Sequence, residues 1–228
     1  MIILGLTGSI GMGKSETSKM FRRLGVPVFD ADATVHDLMS RGGRAVAAVA
    51  AAFPGAVKDG AVDRVALGAQ VFGKPDQLRR LEGILHPRVG ALQRRFLMQS
   101  ARQRLSMVVL DIPLLFEGRG EEHCDVTAVV SAPAAIQRQR VLARPNMTEE
   151  KFRHILKQQV ADVVKRQRAD FILPTGLGKH YTLRYIKNLI TICGDKRGQV
   201  WPPHKRPFKR PSQHPSRRPV HARNRIRH

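Results

Sequence analysis

Eight residues near the amino terminus, Gly8-Ser9-Ile10-Gly11-Met12-Gly13-Lys14-Ser15, constrain this chain more than any other feature. They fit G-x-x-x-x-G-K-[ST] at every fixed position, and each fixed position has a physical reason. Glycines admit backbone conformations closed to other residues and let N–H groups approach an anion closely. A helix starting near Lys14 directs its positive end at the same point. The Lys14 ammonium then reaches the β and γ phosphates of a nucleotide, and the Ser15 hydroxyl is the expected Mg²⁺ ligand. The octad, with Glu16 that follows it, therefore predicts a binding segment for ATP with Mg²⁺. Glu16 fits this picture least well. A carboxylate there suits the helix dipole but repels phosphate, so it is expected to point outward.

The flanking sequence supplies the frame such a loop needs. Ile2 to Thr7 is an apolar run of strand type, and Lys14 to Leu24 reads as a helix with Met20, Phe21 and Leu24 on one face. Gly25 closes that helix, and Val26 to Phe29 is a second strand running into Asp30-Ala31-Asp32. Strand, loop, helix and strand in succession form a βαβ unit. Residues 33–101 are mostly helical in texture, with turns at Pro54-Gly55 and Asp59-Gly60. Strands follow at Ser106 to Asp111, Val126 to Val130 and Asp170 to Leu173, with a helix over Ala134 to Leu142. Thr148 is an N-cap for a helix expected to reach Arg166, and a last helix spans about Tyr181 to Ile192. The class predicted is α/β, a three-layer phosphate-loop fold around a parallel sheet.

A phosphotransferase also needs a group to orient or deprotonate its acceptor, and cations over the moving phosphoryl group. Asp30 and Asp32 stand at the carboxyl end of the second strand, the edge where ligands bind in open α/β sheets. Asp32 is placed to take a proton from an acceptor hydroxyl; capping the next helix is the competing reading. Arg138, Arg140 and Arg144 follow the Val126–Val130 strand, and a spacing of four puts Arg140 and Arg144 on one helix face. Arginines suit multidentate phosphate contacts, and a lid over roughly 138–160 would carry them across ATP; a solvated basic face is the alternative.

The formal charge of +22 would ordinarily point to nucleic acid. Its distribution argues otherwise: residues 196–228 hold 11 Lys and Arg and no Asp or Glu. That segment, rich in proline, reads as a disordered tail, and no nucleic-acid partner is expected beyond weak, salt-sensitive contacts of the tail. A nucleotide-dependent switch lacks support, because no guanine-reading N-K-x-D pattern occurs. Cys124 and Cys193 are far apart and form no metal motif, which fits a reducing cytoplasm. No apolar run approaches the roughly 18 residues that span a bilayer. The expected state is a cytoplasmic monomer or small homo-oligomer.

Several separated blocks resemble the dephospho-CoA kinase family: LGLTGSIGMGKS with VFDAD, DGAVDR at 59–64, VFGKPDQLRRLEGILHPRV at 71–89, DIPLLFE at 111–117 and KRQRADFILPTGLG at 165–178. The resemblance implies a phosphate-loop core over 1–32 and 102–195, a helical CoA-binding insertion over 33–101, and a lid. It implies transfer of the ATP γ-phosphoryl group to the ribose 3′-hydroxyl of dephospho-CoA. Asp32 would then be the base, Lys14, Arg140 and Arg144 would stabilise the phosphoryl group, and His86 would lie on the acceptor side. Pro145 and Pro174 depart from the family pattern. A kinase of the same fold acting on another small molecule is the runner-up.

Overall fold

The computed structural model describes residues 1–194 and 196–202. The chain divides into two units, one made of Met1–Phe29 with Ser100 onward, the other of Asp30–Gln99.

The first unit is built on a sheet of five strands in the order β2-β5-β1-β6-β7. These are β1 (Ile2–Thr7), β2 (Val28–Asp30), β5 (Met107–Asp111), β6 (Val126–Ser131) and β7 (Phe171–Pro174). β1 pairs parallel with β5 and β6, and β6 with β7. Every residue of β1, β5 and β6 is buried, which is why these strands read as apolar runs without alternation. Side chains of successive residues leave on opposite faces. Leu4, Leu6, Val109, Ala128 and Val130 join Phe21 of α1 (Lys14–Arg23) and Ile186 and Leu189 of α9 (Lys179–Gly194) in one core. Val129 faces the other way, onto Phe116, Ala169 and Ile172. Apolar layers on both faces make the three-layer architecture that the sequence pattern predicts.

α1 ends in a Schellman motif: the Gly25 N–H donates to Arg22 O and the Val26 N–H to Phe21 O, both at 3.0 Å. That turn delivers the chain to β2. On the far side of the sheet's centre, α6 (Ala134–Leu142) follows β6 over the predicted span, and the Thr148 hydroxyl accepts from the Lys151 N–H at the start of α7 (Glu149–Gln158). The helix expected to continue to Arg166 instead breaks at Gln159-Val160-Ala161 and restarts as α8 (Asp162–Arg168). No glycine or proline marks the break. Tertiary hydrogen bonds cause it: Ile10 donates to the Gln159 side chain, and the Val160 N–H donates to Glu117.

The second unit holds α2 (Ala31–Met39), α3 (Val46–Ala52), α4 (Arg64–Val71) and most of α5 (Pro75–Arg102), with a hairpin of β3 (Val57–Lys58) and β4 (Ala61–Val62) closed by Asp59-Gly60. Its own core gathers Leu38, Val49, Phe53, Val62, Leu67, Leu81 and Leu85. Asp63 caps α4, accepting from the Val65 and Ala66 N–H groups.

The tail expected to be disordered from residue 196 keeps order further than its composition suggests. Gln199 and Val200 donate backbone N–H groups to Asp125 Oδ1 at 2.5 and 2.9 Å, while Asp125 Oδ2 accepts from Ile3. The rest of that expectation, 203–228, lies outside the described residues. No helix among the described residues is long and apolar enough to cross a membrane.

Phe21 is fully buried between α1 and the sheet. Phe21→Ala is expected to lower unfolding free energy by about 3–5 kcal/mol, read as a lowered urea midpoint with an unchanged slope.

Candidate active site

The octad forms the loop between β1 and α1. Gly8 leaves β1 where a side chain has no room: a Cβ there would lie 2.2 Å from Val130 Cγ2. Gly13, the residue before α1, has φ 91°, a left-handed value that glycine adopts at little cost. The first backbone N–H groups of α1 have no partner within the helix, so Lys14, Ser15 and Glu16 present donors at its positive end.

Beneath the loop lies a residue that the sequence reading did not single out. Asp111, the last residue of β5, is 1% exposed. Its Oδ1 lies 2.5 Å from Lys14 Nζ, and its Oδ2 accepts from the Ser18 hydroxyl at 2.5 Å. The signal was present in Met-Val-Val-Leu-Asp, an apolar strand that ends in a carboxylate beside β1.

A cavity of about 270 Å³ opens beside the loop, lined by Gly13, Glu16, Arg140, Thr175, Gly178 and Lys179 among others. Arg140 projects from α6 and donates to Thr175 Oγ1 at 3.2 Å and to Thr175 O at 2.6 Å. The Thr175 hydroxyl donates in turn to Met12 O at 2.6 Å, which ties the arginine to the loop through one side chain. Arg144 is exposed and lies beyond the end of α6 at Leu142, so helical spacing does not place it on one face with Arg140. Arg138 pairs with Glu149 at 2.8 Å and so links α6 to α7.

Glu16 lies on the cavity wall, paired with Lys179 Nζ at 3.2 Å. The Lys179 hydrogen bond holds its carboxyl below the ordinary 4.5. This partner stands at the start of α9, too distant in sequence for any local pattern to reveal.

The loop is also gripped from the side. The Ile10 carbonyl accepts from Gln137 Nε2 at 2.7 Å, and its N–H donates to Gln159 Oε1 at 3.0 Å. Next to Gln159, the Val160 N–H donates to Glu117 Oε1 at 2.9 Å, and Lys165 Nζ lies 2.8 Å from the same oxygen. Lys165 is fully buried.

In the second unit, Asp30 Oδ1 accepts from the Ala33 N–H and caps α2. Asp32 stands in the first turn of α2, exposed to solvent, so the capping alternative belongs to its neighbour. His86 is exposed on α5 beside Pro87, which lies inside the helix. His36 Nδ1 is paired with the Arg64 guanidinium.

For a divalent cation, the exposed Ser15 at the start of α1 offers a hydroxyl oxygen, whereas both oxygens of Asp111 are engaged by Lys14 and Ser18. Hard oxygens suit Mg²⁺, which takes only one or two protein ligands when phosphates and waters complete its shell. Among the described residues there is no cluster of three or more His, Cys, Asp or Glu of the kind an all-protein metal cage needs.

A glycine loop ahead of α1, a lysine on a buried strand-end aspartate and an arginine-walled cavity together define an ATP-dependent phosphotransferase of the phosphate-loop type. Residues 2–177 match the sequence model of the dephospho-CoA kinase family. The chain belongs to that family. It is 64% identical over 166 residues to a dephospho-CoA kinase of Paramagnetospirillum magneticum, covering 73% of this chain and 78% of the relative. A dephospho-CoA kinase of Rhodospirillum rubrum is 54% identical over 193 residues, 84% of this chain and 91% of its own. A solved structure from Thermus thermophilus superposes with a TM-score of 0.71 at 35% identity, covering 84% of this chain and 96% of that one. A dephospho-CoA kinase structure from Campylobacter jejuni, at 22% identity and a TM-score of 0.56, shows the shared fold.

The Glu117–Lys165 pair gives a pH dependence with a definite sign. Burial pushes the Glu117 carboxyl up, but the Lys165 ammonium and the Val160 N–H outweigh it and leave the group below the ordinary 4.5. A lowered folded pKa stabilises above the unfolded value and is lost as pH falls through the folded one. Glu117→Gln is therefore expected to be less stable than the parent at pH 7, by about 3 kcal/mol for a broken buried pair. That deficit should shrink as pH falls below 4.5 and through the lowered value of the folded carboxyl; denaturant unfolding across the range measures it.

Proposed function

We infer that this chain transfers the γ-phosphoryl group of ATP to the ribose 3′-hydroxyl of dephospho-CoA, giving coenzyme A and ADP, the last step of coenzyme A synthesis. The observation that carries the reading is the family match over residues 2–177, joined to the Lys14–Asp111–Ser18 constellation under the glycine loop.

The donor half follows from the loop. Ile10 spends its N–H and carbonyl on two glutamine side chains, and the Met12 N–H is bonded to Ser9 O. Phosphate binding then falls to the amides of Gly11, Gly13, Lys14, Ser15 and Glu16, with Gly8 and Ser9 shaping the approach. Lys14 is the cation for the β and γ phosphates. Its neighbour Asp111 keeps it oriented. The cavity beside Arg140 and Thr175 receives the nucleoside half of ATP, and Arg140 and Arg144, on a lid over about 138–160, supply charge to the transferring group. Ser15 would hold Mg²⁺, which would supply charge neutralisation for the phosphates.

On the acceptor side, the helical unit binds the CoA moiety, with His86 among its contacts. Asp32 takes the proton from the 3′-hydroxyl. The support is positional: Asp32 follows the carboxyl end of β2, and the cap of α2 is already provided by Asp30. We place the enzyme in the cytoplasm, where the buried thiols of Cys124 and Cys193 stay reduced.

Purified protein given ATP, Mg²⁺ and dephospho-CoA is expected to form coenzyme A; a folded protein that forms none overturns the reading. Asp32→Asn should lower kcat by about 10²–10⁴, the usual share of a general base, with ATP affinity within twofold. Near-parental turnover would remove Asp32 from the chemistry. Lys14→Ala should weaken both turnover and nucleotide binding. Removing 203–228, which leaves the Asp125 contacts of Gln199 and Val200 in place, should preserve kinase activity and abolish any retention on immobilised polynucleotide.

A further inference from the structure

Two glutamines hold one residue of the phosphate loop, Ile10, through the two peptide groups that flank it. Gln137, on α6 and 6% exposed, donates from Nε2 to the Ile10 carbonyl at 2.7 Å. Gln159, which ends α7, accepts at Oε1 from the Ile10 N–H at 3.0 Å. Between them in sequence runs the whole segment that carries Arg140 and Arg144. Gly11 adds a steric seat, since a Cβ there would lie 2.5 Å from Val141 Cγ2 and 3.0 Å from Gln137 O. The re-entry point after Gln159 is fixed as well, by the Val160 N–H on Glu117 and by the buried Lys165 beside it.

We propose that Gln137 and Gln159 are positioning residues that fasten both ends of the arginine-bearing segment to Ile10, so that the phosphate loop and Arg140 reach their working geometry as one unit. The proposal rests on the reading that this segment meets the transferring phosphoryl group. The physical basis is directional. Ile10 sits in a glycine-rich loop with no helix or strand ladder to satisfy its backbone N–H and carbonyl, and two side-chain amides do so with opposite polarity, one as donor and one as acceptor. A glutamine at either end ties a change in the segment to a change in the loop. Small displacements of positioning groups cost catalysis more than they cost binding.

The test uses the full chain with ATP, Mg²⁺ and dephospho-CoA. Gln137→Met and Gln159→Met keep side-chain length and remove the polar ends. Each is expected to lower kcat roughly five- to fiftyfold, with KM for dephospho-CoA within twofold. The double variant should be little worse than the worse single one, because both act through the same loop residue, Ile10. Gln137→Glu and Gln159→Glu separate the two roles. Both add the same charge near the loop, but only Gln159→Glu keeps an acceptor for the Ile10 N–H, so it should retain several times the kcat of Gln137→Glu. Equal kcat for the two Glu variants overturns the proposal, even if the Met variants fold poorly. So does a lowered melting temperature in the Met variants with kcat within twofold of the parent, which marks a merely structural role. Arg140→Ala and Arg144→Ala with parental kcat overturn the underlying reading of the segment. Sensitive arginines with insensitive glutamines overturn the coupling alone.

Discussion

Asp111 is a carboxylate with 1% of its surface exposed, and much of the site depends on how its charge is met. An isolated buried carboxylate is too costly to keep ionised. Here both oxygens find partners on α1: the Lys14 ammonium on one, the Ser18 hydroxyl on the other. Lys14 and Ser18 lie four residues apart, on one face of the helix. The pair of contacts therefore fixes both the rotation of α1 about its axis and its distance from β5. Because β5 pairs directly with β1, the strand before the loop and the helix after it are held to one ruler. The glycines can then be flexible in sequence and still definite in structure.

That constraint explains which parts of the molecule could be read from the sequence. The turn from β1 into α1, the α6 span, the Thr148 cap and the Asp59-Gly60 turn all rest on neighbours within a few residues, and all appear as expected; β2 begins two residues later than the sequence suggests and lies beside β5, not β1. The interruption at Gln159-Val160-Ala161 was not legible, because its cause lies at Ile10 and Glu117, far off in sequence. The same holds for Arg144, whose helical spacing from Arg140 loses meaning once α6 stops at Leu142. Asp111 differs from these. Its strand-end position was visible, but only the tertiary contact to Lys14 shows what the carboxylate does.

Pro174 shows how a strand accommodates a proline. It is the last residue of β7, whose neighbour in the sheet order is β6 alone. Proline's missing N–H costs least at the end of an edge strand. The ladder resumes at once, with the Thr175 N–H donating to Ser131 O at 2.9 Å. The Pro174 carbonyl still accepts from the Thr182 hydroxyl of α9 at 2.8 Å. Thr175 is thus presented correctly to Arg140 and to the Met12 carbonyl, the contacts that matter to the site.

Glu16 shows the same logic for charge. A carboxylate in the first turn of α1 gains from the helix dipole, yet it stands beside a loop built to receive a highly negative ligand. Lys179 resolves the conflict: it sits on the cavity wall with Glu16, forms an ion pair with it and favours its ionised form. The helix keeps its favourable first-turn acid, and the pair carries no net charge on the cavity wall. A pair this exposed adds little to stability, so its value lies in the local potential rather than in holding α1 to α9. Neutralising Glu16 alone would leave Lys179 as an uncompensated cation on the cavity wall, and neutralising Lys179 alone would leave an anion there. The two residues therefore act as a unit, although 163 positions separate them along the chain.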